Sequence, residues 1–386
     1  MGYADCRSQV WRYGQIANRQ SKIGNRQSPI GNMFSLSDAY NRRINYLRLS
    51  VTDRCNFRCA YCMPPEGVPW RPHAEILRFE EIAAVVRAAA ALGISKVRLT
   101  GGEPLVRAGI VDLVAMLAAI PGVDDLSMTT NGALLARHAA DLRRAGLRRV
   151  NVSLDTLDAG RFQRITRLGR LADVLAGIAA AQEAGLLPVK LNTVAVRGFN
   201  DDELVTLAAR TIGEDWHVRF IEVMPVGLGG SGQQARAGGA CQDIDTPNVL
   251  LATAEHSPEA GFIAVAEIKA RIEATLGVLT PARPTVGNGP ARYYRLAGAR
   301  GTIGFISPVS EHFCDQCNRL RLTADGHLRP CLLADGELDL RTPLRQGASQ
   351  ADLQALLRQA IQAKPQGHRL AEQVRPQVRA MSQIGG

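Results

Sequence analysis

The stretch that decides the fold is EEIAAVVRAAAALGISKVRLTGGEP, residues 80–104. Its first part repeats apolar and alanine side chains at helical spacing and ends in glycine, a frequent helix C-terminus. The run KVRLT then alternates polar and apolar side chains, as a strand does, and stops at a polar, glycine-rich segment. A helix followed at once by a short strand predicts one unit of a strand–helix–strand repeat.

The same alternation continues on both sides of this stretch. Further strand-like runs are YLRLSV, DLSMTT, RVNVSLD, VKLNTVAV and HVRFIEVM, and helical patterns such as IVDLVAMLAAI separate them. This order predicts right-handed crossovers and a parallel sheet, so the fold class is α/β. Six such strands suit either an open doubly wound sheet or an incomplete (β/α)6 TIM-like barrel. Both architectures bind ligands at the carboxyl ends of the strands.

Polar or glycine-rich residues stand where each predicted strand ends. Any one of them could simply cap the next helix. Because parallel strands bring their carboxyl ends to one edge, the whole set favours a pocket there. The set comprises Asp53, Thr100–Glu103, Thr129–Asn131, Ser153–Asp155, Asn192–Thr193 and Glu222.

Composition limits the classes of function. Lys and Arg exceed Asp and Glu by 46 to 36 in 386 residues. That excess suits an anionic ligand, either nucleic acid or a polyphosphate. No run of about 18 apolar residues is present, so no membrane-spanning helix is expected. No apolar signal segment follows the first residues, and a cytoplasmic protein is expected.

Three changes of pattern predict the domain organisation. Residues 1–32 contain the near-repeat NRQSKIGNRQSPIGN and are predicted to be a disordered extension, with a start at Met33 or a transit peptide as alternatives. Residues 33–264 form the predicted barrel, with an atypical insertion at 227–261. Residues 265–386 are predicted to form a C-terminal, largely antiparallel β domain, since runs such as GTIGFISP and RLRLTADGHLRPCL alternate around turn residues.

The run TDRCNFRCAYC, residues 52–62, places Cys55, Cys59 and Cys62 at the spacing C-x3-C-x2-C. A structural zinc site normally has four protein ligands, so zinc would need His73 or a remote residue as well. Three thiolates can instead hold three irons of a [4Fe–4S] cluster and leave the fourth iron open. An open iron can bind a small molecule.

A second triplet, Cys314, Cys317 and Cys331, has the spacing C-x2-C-x13-C and again lacks a neighbouring fourth cysteine. A zinc ribbon without one ligand is the alternative. Disulfides are not expected in a chain of this length without a secretory signal. Cys6 and Cys241 stand apart, and no role is predicted for them.

The first triplet, with Tyr61 before its last cysteine, and LTGGEPLVR at 99–107 resemble the radical S-adenosylmethionine superfamily. The second triplet and the terminal MSQIGG resemble more narrowly the GTP 3′,8-cyclase family, lyases that begin molybdenum-cofactor biosynthesis. The resemblance runs from about residue 33 to the last residue, without the insertion. It implies two [4Fe–4S] clusters, one on each cysteine triplet, and S-adenosylmethionine on the first.

The resemblance also implies the reaction. A 5′-deoxyadenosyl radical would remove the 3′-hydrogen of GTP, and the C3′ radical would attack C8 of guanine. The product would be (8S)-3′,8-cyclo-7,8-dihydroguanosine 5′-triphosphate. The open iron of the second cluster would orient the guanine ring, which is catalysis by proximity.

Matching positions imply the site residues. GTP contacts are expected at Arg48, Arg98, Thr129, Lys190, Arg319, Leu320 and Arg321. S-adenosylmethionine contacts are expected at Tyr61, Gly102, Ser153 and Met224, and glycine at 101 and 102 should admit the methionyl group. Arg48, Gly385 and Gly386 are the implied catalytic residues, with the two glycines reaching into the active site. Arg319 and Arg321 alternate on one strand, so their guanidinium groups can hold triphosphate oxygens from one side.

The implied partners are a flavodoxin- or ferredoxin-like electron donor, cyclic pyranopterin monophosphate synthase as the next enzyme, and a second copy in a homodimer. Neither nucleic acid nor a membrane is expected as a partner. Two alternatives remain open at this point. Another two-cluster radical enzyme that modifies a peptide would usually carry more C-terminal cysteines. A zinc-dependent nucleic-acid-binding protein would be colourless and zinc-loaded.

Overall fold

The computed structural model describes residues 36–224, 261–283, 287, 289–372, 374, 376, 379 and 381–385. The predicted extension, Cys6, Cys241, Gly386 and the predicted insertion apart from its last residue lie outside the described residues. No helix in the described ranges has the length and apolar character that crossing a membrane requires.

The described strands are β1 (Tyr46–Ser50), β2 (Lys96–Thr100), β3 (Asp125–Thr130), β4 (Arg149–Ser153), β5 (Lys190–Ala195), β6 (His217–Glu222), β7 (Thr280–Ala282), β8 (Arg292–Arg295), β9 (Thr302–Ile306), β10 (Arg319–Leu322), β11 (His327–Arg329) and β12 (Leu338–Asp339). The described helices are α1 (Phe79–Ala91), α2 (Ile110–Ala118), α3 (Leu135–Arg144), α4 (Ala159–Thr166), α5 (Leu171–Glu183), α6 (Leu204–Gly213), α7 (Val265–Leu276), α8 (Arg341–Arg345), α9 (Gln350–Gln362) and α10 (Met381–Ile384).

Strands β1 to β6 pair with one another in chain order, and every pair is parallel. Apolar residues of alternate positions, such as Leu47 and Leu49 on β1, join Ile82 and Val86 of α1 in a core without solvent exposure. Burying each such side chain contributes about 1.5–3 kcal/mol, which is why the helices pack on this face. The predicted parallel α/β sheet of the radical-enzyme barrel is confirmed.

The C-terminal strands extend this sheet at both ends. Strand β10 pairs in parallel with β1, and β9 pairs in parallel with β6. The antiparallel pairs predicted for this region lie further out, β11 and β12 beyond β10, and β8 and β7 beyond β9. The result is one twelve-stranded sheet. The two parallel pairings escaped the sequence analysis because they join segments that lie far apart along the chain.

Candidate active site

The loop after β1 brings the first cysteine triplet to the carboxyl ends of the strands. Cys55, Cys59 and Cys62 line a cavity of about 340 Å³ at this edge. Arg58 donates to the carbonyl oxygen of Cys55 at 2.8 Å, and Arg167 donates to that of Arg58 at 2.8 Å. Two arginines therefore hold the loop through its own carbonyl groups.

The donor chemistry fits an iron–sulfur cluster. Burial raises the pKa of Cys55 to about 11 and that of Cys62 to about 12, so only a bound metal would make these thiols ionise near neutrality. In the described part of the chain, no three His, Cys, Asp or Glu side chains are arranged around one metal ion. A [4Fe–4S] cluster instead takes each thiolate on a different iron. His73, the candidate zinc ligand, is exposed and does not line the cavity.

The glycine pair after β2 packs against the cysteine loop. Gly102 donates its amide to the carbonyl of Thr52 at 2.8 Å, and Glu103 donates to that of Arg54 at 2.8 Å. A Cβ on Gly102 would lie 2.3 Å from the oxygen of Arg54. The sequence suggested that these glycines make room for a cofactor. The structure adds a second reason, which is close backbone contact with the loop that carries the cysteines.

Glu103 joins this glycine segment to β3. Its carboxylate accepts from the Thr130 hydroxyl at 2.7 Å and from the Asn131 amide at 2.6 Å. Burial raises the pKa of Glu103 to about 7, although these hydrogen bonds oppose the shift. The strand-end pattern included Glu103, and the structure confirms that it lines the cavity.

All four residues expected to contact S-adenosylmethionine line the cavity, namely Tyr61, Gly102, Ser153 and Met224. The hydroxyl of Tyr61 donates to Asp155 Oδ2 at 2.8 Å. Asp155 is itself buried, which raises its pKa to about 6, and it accepts from the amide of Val194 at 2.9 Å. The aromatic ring beside the last cysteine is thus fixed by a strand-end carboxylate.

A row of cations faces the cavity from adjacent strands. Arg48 stands beside Arg321 of β10 and Arg98 of β2 in the sheet register. Burial lowers the pKa of Arg48, and the neighbouring charge of Arg321 lowers it further. Thr129 and Arg319 line the cavity as well. Five of the seven predicted GTP contacts therefore lie around one cavity.

The other two predicted contacts do not line it. The Leu320 side chain has no solvent exposure and belongs to the hydrophobic core, as alternation with two cavity-facing arginines requires. Lys190 is buried on β5, with its Nζ 5.5 Å from the centre of the Tyr293 ring. Burial and the charge of Arg219 lower the pKa of Lys190 to about 6.

Arg219 on β6 was missed by the sequence analysis. It lines the cavity, is 4% exposed, and its Nε and Nη2 have no hydrogen-bond partner among the described residues. The sequence does show Arg219 as a charged residue within the strand-like run HVRFIEVM, five positions before Met224. Which face of the strand it occupied could not be read from that run alone.

The C-terminal segment enters this cavity. The carbonyl of Gly385 accepts from Arg321 Nη1 at 2.7 Å. Its backbone has a φ of +68°, and a Cβ there would lie 2.2 Å from Thr100 Oγ1. Glycine is therefore required both by the conformation and by the contact with the end of β2. The expectation that the tail reaches the site agrees with this position of Gly385.

The second triplet lies outside the cavity lining, next to residues that belong to it. Arg42 donates to the Cys314 carbonyl at 2.7 Å, and Lys364 Nζ donates to the carbonyls of Arg319 at 3.0 Å and Pro330 at 2.6 Å. Burial opposes ionisation of Cys317, but the charges of Arg319 and Lys364 lower its pKa to about 7. Two buried cations, Arg42 and Lys364, thus hold the backbone at Cys314 and on the two segments that carry Cys317 and Cys331.

Comparison with known proteins agrees with this arrangement. Two family models match the chain, the Radical SAM superfamily over residues 49–210 and Molybdenum Cofactor Synthesis C over residues 250–370. The GTP 3',8-cyclase of Pelotomaculum thermopropionicum is 53% identical over 91% of this chain and 100% of its own length. That of Moorella thermoacetica is 50% identical over 91% of this chain and 100% of its own. The chain therefore belongs to the GTP 3',8-cyclase family within the radical S-adenosylmethionine superfamily.

Proposed function

We propose that this chain converts GTP to (8S)-3′,8-cyclo-7,8-dihydroguanosine 5′-triphosphate, the first step of molybdenum-cofactor biosynthesis. One observation supports this function above the others. A single cavity is lined both by the first cysteine triplet and by a row of buried and half-buried arginines. A radical source and a polyphosphate site could therefore share one space, as cyclisation of a nucleoside triphosphate requires.

Membership of the superfamily implies a [4Fe–4S] cluster and S-adenosylmethionine. We assign the cluster to Cys55, Cys59 and Cys62, and the S-adenosylmethionine to the four cavity residues Tyr61, Gly102, Ser153 and Met224. When bound and reduced, the pair supplies the 5′-deoxyadenosyl radical that removes the 3′-hydrogen of GTP. The chemistry requires that bound substrate and cofactor exclude water from the cavity, so that the ribose radical has one reaction partner.

We assign the triphosphate to the cations that line the cavity, Arg48, Arg98, Arg219, Arg319 and Arg321, with Thr129 and Lys190 on neighbouring strands. Burial and the repulsion between these like charges both lower the pKa of Arg48 and Arg321. Without a ligand, keeping all of them charged therefore costs free energy. An anionic ligand removes this repulsion, so part of the binding free energy comes from relief of the cationic crowding. Leu320 anchors this part of β10 in the core on the opposite face of the strand, which leaves the two arginines on the cavity side.

We assign a second [4Fe–4S] cluster to Cys314, Cys317 and Cys331, with its open iron toward the guanine base. Arg319 follows Cys317 by two residues and lines the cavity, and Leu332 adjoins Cys331 and lines it too. That these neighbours of the second triplet line the cavity supports the assignment. Arg48, Gly385 and Gly386 are the proposed catalytic residues, Arg48 because it lies centrally in the row of cations.

The partners follow from the chemistry. A low-potential electron donor of the flavodoxin or ferredoxin class must reduce the first cluster, and cyclic pyranopterin monophosphate synthase would take the product. Oxygen-sensitive clusters suit a reducing cytoplasm. We further propose a homodimer, with neither nucleic acid nor a membrane as partner.

The test uses protein purified and reconstituted without oxygen. We expect about eight irons per chain, four for each cluster, and brown colour. Incubation with S-adenosylmethionine, a strong reductant and GTP deuterated at C3′ should yield the cyclised nucleotide and 5′-deoxyadenosine that carries the deuterium. Protein that contains only zinc, or deuterium that stays in GTP while 5′-deoxyadenosine forms, would contradict the proposed function and favour one of the alternatives.

A further inference from the structure

The described part of the C-terminal tail, residues 379 and 381–385, contacts both halves of the site. At its end, Gly385 accepts from Arg321 and packs against Thr100. In its middle, the backbone of Ser382 comes close to the Cys62 thiol. Met381 and Ser382 line the cavity. The tail therefore forms part of the cavity wall, from the first cysteine triplet to the row of cations.

A small apolar contact helps to hold this wall, in addition to the hydrogen bond between Arg321 and Gly385. Ile384, 1% exposed, packs with Leu333, and Met224 and Met381 lie against that pair. The Ser382 hydroxyl is buried and has no hydrogen-bond partner among the described residues. A helix as short as α10 is not stable by itself in water, so an anchor before the helix would hold the tail more firmly.

Arg379, at the start of the tail, supplies that anchor. Its Nη1 and Nη2 donate to the two oxygens of Asp325 at 3.0 Å each. Its Nε and Nη2 donate to the two oxygens of Glu337 at 2.6 and 2.7 Å. The Arg379 and Asp325 side chains are 5% and 2% exposed. One guanidinium group thus satisfies two carboxylates at once, which is the strongest geometry available to arginine.

The same carboxylate also reaches the loop that follows the first triplet. Asp325 Oδ2 lies 3.2 Å from Arg71 Nε, and the Arg71 amide donates to Asp53 at the end of β1 at 2.7 Å. The Thr323 hydroxyl donates to Asp325 Oδ1 at 2.5 Å. Arg379 is the partner that contacts both oxygens of the buried Asp325, and its loss would leave this carboxylate with the weaker ion pairs to Arg71 and His327.

We propose that Arg379 is a positioning residue that latches the C-terminal tail across the cavity, so that Gly385 meets Arg321 and the tail covers Cys62. The inference rests on the proposed cyclisation for its consequence in catalysis, but the latch itself is a property of the folded chain. The anchor and the functional end of the tail lie at opposite ends of this short segment. Unlatching should therefore free the tail without disturbing the barrel.

The experiment compares Arg379→Met with Arg369→Met in reconstituted, oxygen-free protein. Arg369 is a matched control, since it also pairs with a carboxylate, Glu372, but both side chains are largely exposed. Arg379→Lys, which keeps the charge without the bidentate contacts, and Glu337→Gln, which removes one of the two carboxylate charges, complete the series. Hydrogen exchange of the C-terminal peptide reports latching, and the ratio of cyclised product to 5′-deoxyadenosine reports its consequence.

In Arg379→Met we expect the tail amides to exchange about 100-fold faster, the order expected when one partner of a buried charge pair is lost. The iron content and 5′-deoxyadenosine formation should stay within about twofold, while the ratio of product to 5′-deoxyadenosine falls at least about tenfold, since the chemistry needs the closed site. Arg379→Lys and Glu337→Gln should be intermediate, and Arg369→Met unchanged.

Unchanged tail exchange in Arg379→Met would overturn the latch. A proportional loss of iron, 5′-deoxyadenosine and product would also overturn it, since that pattern belongs to a residue needed only for folding. The two proposals fail separately. If the unaltered chain makes no cyclised nucleotide, the proposed function is wrong, whereas the exchange data still decide whether Arg379 holds the tail.

Discussion

At the scale of single residues, the site consists largely of charged side chains with little solvent exposure. None of them can be recognised as functional from its own position in the sequence. An arginine in a sequence is most often a solvated surface residue. Here Arg219 and Arg321 are 4% and 7% exposed, and both face the cavity. Burying a guanidinium group without a nearby negative charge costs free energy, so these positions favour an anionic ligand in the cavity.

Lys190 gives a pH dependence whose sign can be worked out. Burial and three neighbouring arginines lower its pKa to about 6 from an ordinary value of 10.5. Between these values the unfolded chain binds a proton that the folded chain lacks. The Lys190 contribution to the free energy of unfolding therefore increases with pH across this window.

Triphosphate binding should reverse this shift, because nearby negative charge favours the ammonium form. We predict that GTP binding near pH 7.5 takes up close to one more proton in the unaltered chain than in Lys190→Met. Titration calorimetry in buffers of different ionisation enthalpy measures this number. Equal proton uptake by both proteins would contradict an electrostatic role for Lys190 toward the triphosphate.

Gly102 tests the contact between the glycine segment and the cysteine loop. In Gly102→Ala the Cβ would meet the Arg54 oxygen at 2.3 Å, and this atom belongs to backbone that cannot rotate away. We expect a loss of about 1–3 kcal/mol in the free energy of unfolding and incomplete loading of the first cluster.

Gly213→Ala is the matched control, since nothing lies within 4 Å of a Cβ at this helical position. It should be neutral or stabilising by about 0.5–1 kcal/mol. Chemical denaturation and iron analysis of both variants are the measurements. If the two substitutions behave alike, close packing of the glycine segment is not what the site requires.

At the scale of elements, β10 connects the two halves of the site. Its register with β1 sets Arg321 beside Arg48, and its first residue follows Cys317 by two positions. Lys364, just beyond α9, donates to carbonyl groups on β10 and on the turn that leads to Cys331. The second triplet is thus held in position by a buried ammonium group.

We predict that Lys364→Met loses the second cluster and keeps the first. Without the ammonium group the two carbonyls lose their donor, and each unsatisfied buried group costs about 1–3 kcal/mol. Iron analysis should find about four irons instead of eight. Lys269→Met, which removes an ion pair at the surface of α7, is the control and should keep the full complement. A fully loaded Lys364→Met protein would contradict this role.

At the scale of the whole molecule, the sheet runs without interruption from β12 to β7. The division at residue 264 remains a prediction. The pairing of β10 with β1 and of β9 with β6 means that a separated barrel would expose two long hydrogen-bonding edges, which promote aggregation.

Calorimetry of the metal-free chain tests this coupling. We predict one cooperative transition, with the calorimetric enthalpy equal to the van't Hoff enthalpy, because neither half keeps a closed set of strand partners without the other. A fragment of residues 33–264 should show no cooperative transition. Two resolved transitions in the full chain, or a stably folded fragment, would instead support two independent domains.

The sequence by itself determined the features that depend on local spacing: the helix–strand alternation, the two cysteine triplets, and the polar strand ends that form the pocket. Arg48, Arg98, Tyr61 and Gly102 were predicted from the family resemblance that these motifs carry, and all four line the cavity. Only the tertiary structure decided which distant segments meet. Arg219 faces the cavity, Lys364 and Arg42 hold the second triplet, and Arg379 binds Asp325 and Glu337. The physical reason is that β-pairing and buried ion pairs depend on proximity in space, which local pattern does not encode.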